Sequence, residues 1–216
     1  MKLVLASTGE GKAIEEKVAE LVGKGAGKIN IMVLDEASAA ETWDIRWLID
    51  GLNHLQKTYG EIYGCNLLSL DMAEIQERIN KVDVIWCFGG HTDFLMGVFN
   101  KSGFAKLLPK ILENKVWVGS SAGACVMGVR PKTKLDSDKY IVDKYMELAN
   151  LTIRPHIWAD YAAPGAYDEC VQESKINNIP VYALSDDSAV VVEGGRVYMI
   201  GKRAQKLVGG KVVEEI

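Results

Sequence analysis

A chain of 216 residues with 48% hydrophobic side chains is long enough to bury a full core, and no linker, repeat or charge block divides it, so a single α/β domain spanning residues 1–216 is expected. Twenty-five basic against 29 acidic residues leave a net charge of −4 with the two signs interspersed, which excludes the basic surface that nucleic acid demands. No run approaches the roughly 20 apolar residues of a membrane span, and Cys65, Cys87, Cys125 and Cys170 lack metal-ligand spacing, which predicts reduced core thiols in a cytoplasmic protein.

In chain order, strand and helix patterns alternate. Lys2–Ala6 reads as a strand, and Lys12–Val22 carries Ala13, Ile14, Val18, Leu21 and Val22 at helical spacing. A second strand is predicted over Lys28–Leu34 and a long amphipathic helix from about Glu41 to Tyr59. A third short strand is placed at Asn66–Leu70, with Asp71 as the cap of a helix over Met72–Ile79. Val82–Phe88 is a fourth strand whose continuous apolar character implies cover on both faces. Helical segments at Phe94–Phe99 and Gly103–Leu112 lead to a fifth. This repetition predicts a mostly parallel central sheet with right-handed crossovers and helices on both sides.

Beyond Gly128 the pattern loosens: a polar loop over Arg130–Tyr140, a strand at Leu151–Ile153, a loop at Ala162–Tyr167 and a helix over Asp168–Asn177. Val181–Leu184, Ala189–Glu193 and Arg196–Ile200 are strands, the last two joined as a hairpin by Gly194-Gly195, and Leu207–Val213 holds a further small hairpin. Near the N-terminus, Ser7-Thr8-Gly9-Glu10-Gly11-Lys12 looks like a phosphate loop. Ala6 stands where the first glycine of that motif belongs and Ala13 where its hydroxyl belongs, so an ordinary strand-to-helix turn accounts for it better.

The segment that bears chemistry is Lys115–Gly128, KVWVGSSAGACVMG: a buried strand, a sharp turn and a helix. Within it Gly119-Ser120-Ser121-Ala122-Gly123 matches the G-x-S-x-G nucleophile elbow with Ser121 at the apex, and the Ala122 N–H is the expected oxyanion donor. The turn Phe88-Gly89-Gly90-His91-Thr92-Asp93 lies at the carboxyl end of the fourth strand, the edge on which sites form in open parallel sheets. Gly90 is its expected second donor, with Thr92 or Asp93 as helix cap.

A serine nucleophile needs a base, and the chain has three histidines. His54 sits inside a helix pattern and His91 in the glycine turn. His156 follows a strand directly behind the stiff Pro155, which makes it the stronger candidate. The carboxylate that orients the imidazole is left open by spacing: Asp136 falls between nucleophile and base, and Asp160, Asp186 and Asp187 compete with it.

Taken together, Gly89-Gly90-His91-Thr92, Gly119-Ser120-Ser121-Ala122-Gly123-Ala124, Arg154-Pro155-His156 and Leu184-Ser185-Asp186-Asp187-Ser188-Ala189 resemble the dipeptidase E family of serine peptidases, relatives of cyanophycinase, over nearly the whole chain. The resemblance implies a class I glutamine amidotransferase-like, flavodoxin-like fold and hydrolysis of short peptides through an acyl-enzyme, without metal or cofactor. Carried over, it puts the nucleophile on Ser121, the base on His156, the acid on Asp136 and an oxyanion donor on Gly90. Two departures stand out: His91 replaces the usual Asn after the glycines, and Gly165–Cys170 lacks the arginine with which aspartyl dipeptidases hold an acidic side chain.

His91, Thr92, Arg154, Trp158, Asp160 and Tyr161 are the remaining candidates for shaping substrate specificity. The expected partner is a short peptide, with the protein either monomeric or a homodimer. Cysteine-dependent glutaminase activity is disfavoured because serine holds the elbow and Cys125 lies in the helix. An esterase, an amide hydrolase on a non-peptide substrate, or a catalytically silent module with the same architecture are the competing readings.

Overall fold

Strands that are apolar at every position need cover on both faces, and the computed structural model, which describes residues 1–132 and 142–216, supplies it. The elements run β1 (Lys2–Ala6), α1 (Lys12–Val22), β2 (Ile31–Leu34), α2 (Arg46–Thr58), β3 (Ile62–Gly64), α3 (Met72–Lys81), β4 (Val84–Cys87), α4 (Thr92–Ser102), α5 (Phe104–Ile111) and β5 (Val116–Ser120). They continue with α6 (Ala122–Cys125), β6 (Thr152–Arg154), α7 (Ala166–Ile176), β7 (Val181–Leu184), β8 (Ser188–Glu193), β9 (Arg196–Gly201), β10 (Ala204–Val208) and β11 (Lys211–Glu215). Short 3-10 turns cover Ala26–Lys28 and Glu36–Ala40.

Seven strands form the central sheet in the order β3-β2-β4-β5-β1-β8-β9. The first five are parallel, and β8 and β9 close one side antiparallel. Side chains alternate across it: Leu3, Leu5, Ile85, Cys87 and Trp117 pack with α3, α4 and α5 through Ile75, Ile79, Phe99, Phe104 and Leu108. Val4, Ala6, Val84, Trp86, Val116 and Val118 point the other way, onto Ile14, Val18 and Leu21 of α1 and Leu48 and Leu55 of α2. Among the described residues no helix is long and apolar enough to cross a membrane.

A second sheet, β11-β10-β7-β6, was not foreseen. The strands β7 and β8 are neighbours in sequence but belong to different sheets, and Ser185, Asp186 and Asp187 make the passage between them. The expected C-terminal hairpin is β10-β11, paired onto β7.

Two other expectations shift, and a third holds. The helix expected from Glu41 begins at Arg46, because the Asp44 carboxylate accepts the Arg46 N–H at 2.9 Å and turns the chain there. The third strand is Ile62–Gly64 rather than Asn66–Leu70. The Asn66 side chain accepts the N–H groups of Leu68 and Ser69, at 3.2 and 2.9 Å, and so bends its own segment. Asp71 does cap α3, in a reciprocal capping box with Glu74.

The return from β5 into α6 is tight. Trp117, fully buried, donates its indole N–H to the Gly123 carbonyl at 3.0 Å. A Cβ on Gly119 would stand 2.1 Å from that same carbonyl oxygen, which belongs to backbone and has no rotamer to yield. Gly119→Ala is therefore expected to destabilise the fold by about 3 kcal/mol or more, as forced overpacking does. A urea midpoint equal to that of the wild type would contradict this account of the turn.

Candidate active site

Two of the three non-glycine residues with positive φ among the described residues are Ser121 (φ 49°) and His156 (φ 61°). Such backbone costs of order 1–3 kcal/mol per residue and persists only where the surroundings over-determine it. For Ser121 the surroundings are specific: its N–H is donated to the carbonyls of Ala6 and Ser7, each at 3.0 Å. Gly123 has its Cα against β4, where a Cβ would lie 2.2 Å from the Cys87 carbonyl oxygen. Gly89 packs on Ser121 itself, leaving 2.9 Å between a notional Cβ and Ser121 Cβ. The hydroxyl is thereby left partly accessible above the carboxyl edge of the central sheet.

His156 arrives from the other sheet, two residues past β6. Its Nε2 lies 3.0 Å from Ser121 Oγ and its Nδ1 2.5 Å from Asp186 Oδ1. With the proton on Nδ1 donated to Asp186, Nε2 is free to accept from the serine hydroxyl. The Tyr161 hydroxyl donates to Asp186 Oδ2 at 2.8 Å and sits 3.0 Å from His156 Nδ1, its ring inclined over the imidazole. Burial pushes the Asp186 carboxyl up, but hydrogen bonds from His156, Tyr161 and Ser7 outweigh it and hold the pKa below the usual aspartate value. Burial, and then the hydrogen bond to Asp186, raise the Tyr161 phenol, so it stays a donor at neutral pH.

Among the described residues the carboxylate beside the imidazole is Asp186, one of the competitors that spacing left open. Asp136 lies outside the described residues. Asp187 pairs with Lys202 instead.

The glycine turn is braced from the Glu36–Ala40 turn. Gly90 has φ 127°, and a Cβ there would stand 2.3 Å from the Ala37 carbonyl oxygen, which also accepts the His91 N–H at 3.0 Å. His91 proves to be the cap of α4, accepting the Phe94 N–H on Nδ1 at 3.3 Å, a role expected of Thr92 or Asp93. Thr92 is buried as the first helical residue. Across the turn, Ala122 heads α6, so no helical carbonyl reaches its N–H.

Of the flanking residues, Arg154 is ion-paired to Glu169 on α7. Trp158 packs near Tyr167 beneath the Arg203 guanidinium, which lies 4.0 Å from its ring centre, and Asp160 is exposed on the loop. His54 stands with its Nε2 2.9 Å from Glu15, away from this cluster. Burial drives the Cys65 and Cys170 thiols up to about 11 and Cys87 well above its ordinary value, which keeps them protonated and inert. Among the described residues no group of three or more His, Cys, Asp and Glu side chains is placed to hold a metal ion.

Comparison with known proteins bears on the family and the fold. The model of peptidase family S51 matches residues 3–200. An uncharacterized peptidase of Pasteurella multocida (strain Pm70) is 22% identical over 163 residues, which cover 72% of this chain and 78% of that protein. Among solved structures, a candidate peptidase E protein from Listeria monocytogenes EGD-e superposes with a TM-score of 0.77 at 22% identity, covering 93% of this chain and 98% of that one. A peptidase from an acI-B1 Actinobacterium gives 0.69 at 18% identity, covering 100% and 96%. At these identities the structural likeness speaks for the fold.

One neighbour of the glycine turn titrates in an unusual range. Glu36, 5% exposed, accepts the Leu67 N–H on Oε1 at 2.8 Å while Oε2 is buried with no hydrogen-bond partner among the described residues, and burial raises its pKa from 4.5 to about 7. A raised carboxyl pKa favours the fold fully below pH 4.5, and that advantage is lost as pH climbs through 7. Glu36→Gln removes this titration. Its stability relative to wild type is expected to rise by about 3 kcal/mol between pH 4.5 and pH 8. Equilibrium unfolding at the two pH values measures the difference, and a constant gap would contradict the burial argument.

Proposed function

This chain belongs to peptidase family S51, and we propose that it hydrolyses short peptides through an acyl-enzyme on Ser121, with His156 as general base and Asp186 as the carboxylate that orients it. The observation that carries the reading is the line of contacts Ser121 Oγ to His156 Nε2 at 3.0 Å and His156 Nδ1 to Asp186 Oδ1 at 2.5 Å, formed by residues distant in sequence.

In this reaction His156 Nε2 takes the Ser121 proton as Oγ attacks the peptide carbonyl carbon. Asp186 stabilises the resulting imidazolium without itself taking the proton. The N–H groups of Gly90 and Ala122 receive the charge that builds on the former carbonyl oxygen. Collapse of the tetrahedral intermediate breaks the C–N bond, and Nε2 returns the proton to the leaving amine. Water then attacks the ester by the same route, and the carboxylic acid leaves with Ser121 restored.

Arg154 is held by Glu169, and the Gly165–Cys170 segment contributes no arginine of its own. A preference for an N-terminal aspartate is therefore not part of the proposal. The site takes the backbone of a short peptide, with the loop bearing Trp158, Asp160 and Tyr161 beside the base.

A mass-spectrometric screen of a dipeptide library tests the reading. Ser121→Ala is expected to abolish cleavage while the fold persists; wild-type turnover in that variant would refute it. The carboxylate assignment is tested separately. Asp186→Asn should lower kcat by up to about 10⁴-fold, the cost of presenting the wrong imidazole tautomer, with Asp136→Asn within a few-fold of wild type. The reverse ranking would move the relay to Asp136.

A further inference from the structure

The loop at the end of β1, dismissed as a phosphate site on its spacing, meets the catalytic residues through Ser7. This side chain is fully buried, and among the described residues the hydrogen bonds of its hydroxyl go to His156 and Asp186. Its Oγ accepts the backbone N–H of His156 at 2.9 Å and donates to Asp186 Oδ1 at 3.1 Å, the same oxygen that receives the His156 Nδ1 proton. Its carbonyl accepts the N–H of Ser121 at 3.0 Å. Its own N–H goes to Ser188, just past Asp186, at 3.0 Å, and the next residue, Thr8, donates both its N–H and its hydroxyl to the Asp186 carbonyl at 3.2 and 2.5 Å.

We propose that Ser7 is a positioning residue of the active site, a hydroxyl that sets the His156 backbone and the Asp186 carboxylate in register with Ser121. The proposal rests on the serine hydrolase reading above and adds to it the part that joins the two sheets. A hydroxyl suits the place because it has one proton to give and lone pairs to receive. It satisfies a backbone N–H held at φ 61°, and in the same stroke fixes the carboxylate rotamer. The geometry leaves its single proton committed to Asp186, so Ser7 acts through its neighbours and touches no reacting atom. Its place at the carboxyl end of β1, between β5 and β8 in the central sheet, brings it under both the elbow and the β7-β8 passage.

The test uses a fluorophosphonate that phosphonylates active-site serines, so no natural substrate is needed. Wild type is expected to be labelled on Ser121. Ser7→Ala, verified as folded by circular dichroism and thermal melting, should show kinact lowered by about tenfold to a hundredfold, the rate equivalent of one hydrogen bond to a charged group, with KI unchanged. The downfield proton resonance of His156 Nδ1–H should shift or broaden in the same variant, a change that mere loss of stability elsewhere would not produce. If Ser7→Ala does not fold, Ser7→Cys, which fills the space with a poor hydrogen-bond partner, carries the same expectation. A folded variant with wild-type kinact and an unmoved resonance overturns the role of Ser7 and leaves the hydrolase reading standing. A folded wild type that the probe does not label overturns the hydrolase reading, and the role of Ser7 with it.

Discussion

The arrangement depends on one junction, where the carboxyl end of β1 meets the passage from β7 to β8. Here the two sheets meet, and polar groups that would be costly to bury unpaired find one another. Ser7 and Thr8 supply the donors and acceptors on one side; Asp186 and the His156 backbone supply them on the other. Ser121 is fixed to the central sheet, the His156 imidazole to the smaller one. With this junction made, Ser121 Oγ and His156 Nε2 lie 3.0 Å apart.

Around that junction the molecule uses close packing to hold conformations that the chain would not adopt alone. The strained backbone of Ser121 is trapped between β1 and the glycines at 89, 119 and 123, each of which lies against neighbouring atoms closer than a side chain would permit. Trp117 locks the same turn from the hydrophobic side. The cost of order 1–3 kcal/mol at each strained residue is small beside the burial of strands covered on both faces. A core of this kind therefore sustains Ser121 in a fixed and unfavourable backbone geometry.

Much of this was legible in the sequence where the physics is local. Uninterrupted apolar runs such as Val84–Cys87 announced doubly covered strands, Asp71 announced its helix, and the spacing of Gly119, Ser121 and Gly123 announced the tight turn from strand to helix. What could not be read is tertiary. The partner of the His156 imidazole depends on how two sheets dock, and nothing in the spacing of Asp136, Asp160, Asp186 and Asp187 encodes that. Ser7 was hidden for a related reason: a small hydroxyl in a glycine-rich turn has no periodicity, and its role appears only once β1 is seen flanked by β5 and β8. The displaced third strand and the late start of α2 came from Asn66 and Asp44, whose side chains compete locally with the backbone. His91 was anomalous as a substitute for Asn, and its ring nitrogen performs the capping that an Asn amide oxygen would.

The division of the cluster between two sheets has a mechanical consequence. Ser121 follows a strand of the central sheet and His156 a strand of the smaller one, so a substitution within β6, β7 or the C-terminal hairpin can shift the imidazole while the serine backbone keeps its setting. A substitution at the seam between the two units disturbs both at once.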